Sequence, residues 1–323
     1  MTPADLSRTV LGAVRRAVEE GALRVAAVPE RVRIERPRPG GRGDWATSAA
    51  LQLAGPAALP AGKVAEILRE QLSGTPGIAR VEITGPGFLN FTLRQDSRAA
   101  LVRTVLAAGE TYGHGDGLAG TRVRFAPVAG IRGDVWVRTV VALLRTQGAT
   151  ADIGDHGGER IAPVPAPEGI ERLGADASRW ALLRAAAHDR PYADRELLVQ
   201  GESNPLFRVR YAYSRTRALT RGAARLGFTG AYEDDVDAPA LFTALGDHPA
   251  VLEAAARHRA PDRVARHLES TADALLGFQH TVLPRGDEKP SAAHRSRLAL
   301  AEAAGTVLAG GLALLGISAP EHL

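Results

Sequence analysis

From Asn204 to the last residue the apolar positions keep a helical spacing, interrupted only by short polar breaks. That pattern constrains the chain more than any other feature. The helical segments run over 205–227, 238–246, 248–258, 261–283 and 291–315, each apolar along one face, and helices of that kind bury their stripes against one another in a bundle. No unbroken run of eighteen or more apolar residues occurs, so no membrane span and no membrane partner are expected.

The region ahead of the bundle reads differently. Over 1–118 an α+β domain is expected. Leu6, Val10, Leu11, Val14 and Val18 give a helix over Asp5–Glu20, Val32–Glu35 alternates as a short strand, and Gly40–Asp44 is a glycine-rich turn. Helices follow over 46–54 and 63–72. Ile78–Ile83 and Phe88–Leu93 pair as strands around Thr84-Gly85-Pro86-Gly87, whose composition is that of a turn. Over 119–200 a short α/β segment is expected: a strand at Thr121–Phe125, a helix at Val135–Thr146, a glycine- and proline-rich connector over 154–169 and a helix at Asp176–His188. The bundle occupies 201–323. The only biased stretches are 36–43, alternating Arg, Pro and Gly, and the 154–169 connector.

Composition removes several chemistries. There is no cysteine, so disulfides, thiolate catalysis and cysteine zinc sites are excluded, and a cytoplasmic location is expected. The start has no basic segment followed by an apolar run, so no signal peptide is expected. His114 with Asp116, and His156 with Asp152 and Asp155, lie in polar loops, and no metal or other cofactor is expected. The net charge is +4, and of the forty basic residues only Lys63 and Lys289 are lysine.

The arginines are not evenly spread. Arg208, Arg210, Arg215, Arg217, Arg221 and Arg225 fall in the run from Ser203 to Tyr232, before any acidic residue interrupts it. Arg217, Arg221 and Arg225 share one helix face. A solvated face usually mixes signs, so a surface that tracks phosphates is the expectation here.

Three stretches together carry a family likeness. Gly43-Asp44-Trp45-Ala46-Thr47 is followed by a helix and then by Gly85-Pro86-Gly87-Phe88-Leu89-Asn90-Phe91; Asn204-Pro205 opens Leu206-Phe207-Arg208-Val209-Arg210-Tyr211-Ala212-Tyr213-Ser214-Arg215; and Val307–Glu321 ends Gly316-Ile317-Ser318-Ala319-Pro320-Glu321. In this order and spacing they resemble the arginyl-tRNA synthetases, a class I family, at its appended N-terminal domain and its DALR-type anticodon-binding bundle. The likeness covers both ends of the chain.

Between the ends the family's catalytic centre is expected to be missing. Val123-Arg124-Phe125 is similar to the first Rossmann strand, and Leu143–Gly148 to the end of the helix behind it. That alignment sets Val128-Ala129-Gly130-Ile131 on the HIGH-type motif, with apolar residues in place of both histidines. Leu173–Trp180 is similar to the segment after the KMSKS-type loop, so Asp155–Glu159 falls where the lysines would be, and no lysine lies there. Class I activation needs both motifs to stabilise charge on the departing pyrophosphate. The few residues between Gly148 and Asp155 leave no room for further βαβ units.

The resemblance implies roles for particular residues. Phe88 and Asn90, two apart on a strand, would meet a base of the tRNA D-loop, one stacking and one reading an edge; alternatively Phe88 is core and Asn90 a turn cap. Tyr211 and Arg215, four apart on a helix, would face the anticodon arm together with Tyr213; alternatively the tyrosine is bundle core. The expected protein binds tRNA, an arginine tRNA or its charged form, for delivery, sequestration or sensing, and is not an enzyme. A rival is an interaction module that has lost RNA and binds a protein, such as a true synthetase or a tRNA-using enzyme. Residual activity on aminoacyl-tRNA has no nucleophile–base pair in its favour.

Overall fold

The computed structural model describes residues 3–29, 32–35, 37, 43–155 and 157–323, which fall into two compact units, Met1–Leu101 and Val102–Leu323. The first comprises α1 (Pro3–Glu19), β1 (Ile34–Glu35), β2 (Trp45–Thr47), α2 (Ala49–Ala57), α3 (Ala61–Leu72), β3 (Ile78–Thr84) and β4 (Phe88–Leu93). Its sheet is antiparallel in the order β1-β2-β4-β3. Leu89 and Phe91 of β4 pack with Val10 and Val14 of α1 and with Val64 and Leu68 of α3 in one core. The Asp44 carboxylate accepts from the Leu93 amide at 2.8 Å while the Asp44 amide donates to the Phe91 carbonyl at 2.7 Å, which seats β2 beside β4. The helix expected over 46–54 is therefore displaced: Ala46 and Thr47 are strand and the helix starts at Ala49. Sheet pairing on both sides outweighs the helical spacing. Of the biased stretch 36–43 only Pro37 and Gly43 lie among the described residues.

A helix the spacing did not signal, α4 (Gln95–Ala108), spans the boundary between the units. The second unit then holds β5 (Arg122–Phe125), α5 (Ile131–Thr146), β6 (Thr150–Ile153), α6 (Ala175–Arg184), α7 (Pro205–Arg225), α8 (Pro239–Arg257), α9 (Asp262–Phe278) and α10 (Ala292–Leu314). β5 and β6 pair in parallel with Phe125 opposite Ile153, so β5-α5-β6 is a single crossover unit. Glu159 lies against β5, its amide donating to the Arg124 carbonyl and its carbonyl accepting from the Ala126 amide. The middle segment is stitched to the helices: the Trp136 indole donates to the Arg259 carbonyl at 3.0 Å, and α5 packs on α8 while α6 packs on α9.

The segments expected at 238–246 and 248–258 are one continuous helix, α8, with Pro249 inside it. A proline removes the donor that would serve the carbonyl four residues earlier. Here that carbonyl is Leu245, and the buried Tyr112 hydroxyl donates to it at 3.0 Å. The defect is repaired from outside the helix, so it does not end there.

Helix α10 is the spine of the bundle. Its start is a capping box in which the Ser291 amide donates to His294 Nδ1 at 3.2 Å, and His294 is buried. A side-chain carbon at Gly305 would stand 2.5 Å from Thr216 of α7, and one at Gly311 would stand 2.5 Å from Leu268 of α9. Those glycines let three helices approach closely. By length and composition α10 is apolar enough to cross a membrane, but most of it is buried among its neighbours as the core helix of the bundle.

Candidate nucleic-acid interface

Helix α7 carries the arginine run. Its start is fixed by Asn204, whose side-chain oxygen accepts from the Phe207 amide at 3.2 Å while its amide group donates to the Leu197 and Val199 carbonyls. Pro205 takes the first turn, where its missing donor costs nothing. Leu206, Val209, Ala212, Thr216, Leu219 and Ala223 turn inward. The opposite side presents Tyr211, which stacks on Phe207 with ring centroids 5.6 Å apart and is 36% exposed. Tyr213 is partly buried.

In sequence the run is free of acid; in space carboxylates arrive from distant elements. Arg208 donates to Asp273 at 3.1 Å and to the Glu202 carbonyl. Arg210 donates to Ser318 and stands 3.6 Å from Asp176, with its Nε buried and unpartnered. Arg215 donates to the Gln279 amide oxygen at 2.7 Å. Arg217 donates to Glu321 at 3.0 Å, and Arg221 stands 3.9 Å from the same carboxylate. Arg225, one turn further, is exposed. Beneath this face burial pushes the Glu302 carboxyl up, opposed by the donating Thr220 hydroxyl and by nearby Arg217.

The segment that brings Glu321 to α7 is aimed by the end of α10. The Ile317 amide donates to the Leu312 carbonyl and the Gly316 amide to the Ala313 carbonyl, both at 2.9 Å, which is the paired bond pattern of a Schellman cap. Gly316 sits at φ +68 with the Arg179 guanidinium against it, and Arg179 donates to the Leu315 carbonyl at 2.6 Å. Beyond the turn Ile317 is buried, and Ser318 donates to Asp176 through its amide (3.1 Å) and its hydroxyl. Gly316→Ala meets both the left-handed backbone and Arg179, with an expected loss of about 1–2 kcal/mol, read as a lower thermal midpoint; an unchanged midpoint would show the turn tolerates a side chain.

In the first unit Phe88 and Asn90 lie on the face of β4 opposite the core-directed Leu89 and Phe91. Phe88 is partly exposed. Asn90 is 3% exposed and its amide donates to the Thr84 hydroxyl at 2.6 Å. That bond joins β3 and β4 beside the turn.

At the position aligned with the HIGH-type motif, Gly130 precedes α5 at φ +83. Of the segment aligned with the KMSKS-type loop, His156 lies outside the described residues. Glu159 reaches the bundle instead, its carboxylate accepting from Arg259 at 3.0 Å through each oxygen. Among the described residues no three His, Asp or Glu side chains converge as metal ligands would.

Two positions escaped the sequence reading. Arg132, the second residue of α5, is 1% exposed and donates to five backbone carbonyls: Leu182, Val164, Asp189, Ala185 and Ala186. Its guanidinium carbon also stands 5.1 Å from the centroid of the Trp136 ring. Burial draws its proton affinity down, with Asp189 and Asp262 opposing. Glu321 is the other: its arginine partner is 104 residues earlier, and only the terminal motif hinted that this stretch had a fixed place.

Comparison with known proteins identifies both ends. Residues 6–93 match the arginyl tRNA synthetase N terminal domain, and residues 209–323 match the DALR anticodon binding domain. An arginine–tRNA ligase of Frankia alni is 27% identical over 556 aligned positions that take in the whole of both proteins. The chain has 323 residues, so more than two hundred of those positions face no residue of it. A ligase of the same name from Renibacterium salmoninarum is 48% identical over 122 residues, 37% of this chain and 22% of that protein. The fold is similar to that of a Thermus thermophilus arginyl-tRNA synthetase, with a TM-score of 0.72 at 13% identity and full coverage of both chains. A Plasmodium falciparum arginyl-tRNA synthetase gives 0.68 at 8% identity, covering 99% of each.

Proposed function

We propose that this chain, a relative of the arginyl-tRNA synthetases carrying their N-terminal domain and their DALR anticodon-binding domain, binds tRNA in the cytoplasm and does not charge it. The observation that carries the reading is the outer face of α7, where a stacked, half-open tyrosine adjoins a line of arginines. Aromatic rings take unstacked bases, and planar guanidinium groups take phosphates through paired donors. Arg217, Arg221 and Arg225 serve the phosphate line, and Tyr211 serves a base of the anticodon arm. Phe88 is the better-placed contact of the N-terminal domain, since the Asn90 amide is engaged by Thr84.

The absence of charging rests on what lies between the two domains. The β5-α5-β6 unit reads as a remnant of a Rossmann sheet reduced to one crossover, and the gaps in the Frankia alignment far outnumber the residues of that segment. No lysine lies between Lys63 and Lys289 to take the place of a KMSKS-type loop. A protein of this kind delivers, sequesters or senses an arginine tRNA or its charged form. Filter binding with purified tRNAs is expected to give saturable binding that weakens steeply with salt, and arginine-dependent ATP–pyrophosphate exchange is expected to stay at background. Affinity no greater than for random RNA near physiological salt would remove the proposal; exchange activity would remove its second half.

One observation favours a protein partner instead. Ile131 and Ile153, 46% and 38% exposed, both lie toward the carboxyl end of the parallel strand pair, and parallel sheets are ordinarily covered. Co-purification with another protein, indifferent to ribonuclease, is the result that reading requires.

A further inference from the structure

The arginine line on α7 is not bare: it is closed at its centre by a carboxylate from the other end of the bundle. Glu321 accepts from Arg217 at 3.0 Å through Nε and stands 2.9 Å from the second nitrogen of the same guanidinium. It also stands 3.9 Å from Arg221, and the Glu321 carbonyl accepts from the Ser214 hydroxyl at 3.1 Å. The neighbouring His322 ring lies 3.4 Å from Arg221. One oxyanion shared between two guanidinium groups one helical turn apart is also the geometry in which two such groups would hold a phosphodiester.

We propose that Arg217 and Arg221 form a phosphate site of an RNA backbone and that Glu321 holds it in the absence of RNA, leaving when a phosphate enters. The inference rests on the tRNA-binding reading and adds how its central contact is regulated.

The segment is anchored on its α10 side. Ile317 is buried and Ser318 is tied to Asp176 and Arg210, so the root is held within the bundle. Glu321, His322 and Leu323 are exposed, and the carboxylate and its arginine partners keep 51%, 44% and 38% of their side-chain surface. Ion pairs that open to water are weak and screened, so this one yields to a competitor. RNA is such a competitor because its neighbouring phosphates reach the exposed Arg225 as well, one turn beyond the covered pair. Arg225 gives the first contact, and the line then fills toward Tyr211. Glu302 stays near Arg217 throughout, so release of Glu321 leaves Arg217 with a carboxylate beneath it and its outer side open.

Glu321→Gln keeps the shape and removes the charge. Unfractionated tRNA is titrated by filter binding against the wild-type chain and Glu321→Gln over a series of salt concentrations. The variant is expected to bind roughly two- to fivefold more tightly at low salt, the scale on which one exposed ion pair acts. The slope of log K against log salt is expected to steepen by about one, as for one added phosphate contact. The gain is expected to vanish when Glu321→Gln is combined with Arg217→Ala, because the freed guanidinium is what captures the phosphate. If the wild type binds and Glu321→Gln binds equally or less well, with an unchanged melting profile, the closure is overturned and tRNA binding stands. If neither binds above random RNA, the tRNA reading falls and this inference with it. Tight binding by Glu321→Gln alone would support both, with the wild type held closed.

Discussion

Arg132→Met is expected to lower the stability of the Val102–Leu323 unit by about 3–5 kcal/mol, the cost typical of breaking a buried charged network from one side. The methionine would fill much of the same space. It would leave the carbonyls of Val164, Leu182, Ala185, Ala186 and Asp189 without the donors that now join the end of α6, the connector before it and the turn after it to α5. Buried acceptors that lose their donors carry the full desolvation cost. Arg132→Lys is expected to recover little, since a single ammonium has three donors and no planar fork to span five carbonyls. Urea denaturation followed at far-ultraviolet wavelengths reads the effect. A midpoint within error of the wild type would mean that the loop is held by packing and that the guanidinium is incidental.

Acid is expected to act through a buried histidine pair. His248 and His267 stack with ring centroids 5.2 Å apart, and Tyr112 also stacks with His248, at 5.8 Å. His248 Nδ1 and His267 Nε2 are buried and unpartnered. Burial pushes His267 down to about 4 and His248 well below its ordinary value, the latter also through His267 and His114; burial lowers His114 too. The folded unit therefore refuses protons that the unfolded chain accepts below about pH 6.5. The unfolded state then binds more protons, so stability falls as the pH drops from 6.5 toward 4 and is complete above that window. His267 alone accounts for about 2 kcal/mol between pH 6.5 and 5. That interval lies above the ordinary carboxylate range; Glu302, which burial pushes up, takes up protons on folding and acts in the opposite sense. His267→Phe should flatten the dependence over this interval, and a wild type equally stable at pH 7 and pH 5 would rule the mechanism out.

What could be read from sequence divides by the distance over which each feature is decided. The β3–β4 hairpin was legible because Thr84-Gly85-Pro86-Gly87 sets it locally. The start of α7 was legible because Asn204 and Pro205 are cap and first turn at once. The break expected after 246 is absent: Pro249 signals a stop by its own chemistry, and the hydroxyl that removes the defect comes from Tyr112, 133 residues away. β6 was missed because four residues ending in an exposed isoleucine have little pattern of their own, and their pairing with β5 decides them. The candidate site follows the same rule. The arginines on α7 were visible as a run, but the carboxylates that meet them, from Asp176, Asp273 and Glu321, belong to other elements. Nothing in the local sequence sets Arg132 apart from the other arginines. Only the folded path of residues 164 to 189 turns it into an internal tie.

The bonds from Ser318 to Asp176 have a consequence for the order of synthesis. They close a span of 142 residues, and the Arg179 bond to Leu315 closes one of 136. Once Met1–Leu101 has cleared the ribosome it is a sequence with its own core, which can collapse while the rest is being made. The second unit has no such early option. Part of its middle segment waits for the far end of α10: in a nascent chain stalled before residue 315, Arg179 and Asp176 of α6 lack their partners Leu315 and Ser318. Contacts of such long separation slow folding. Until those last residues are made, the contacts that tie α6 to the end of α10 cannot form.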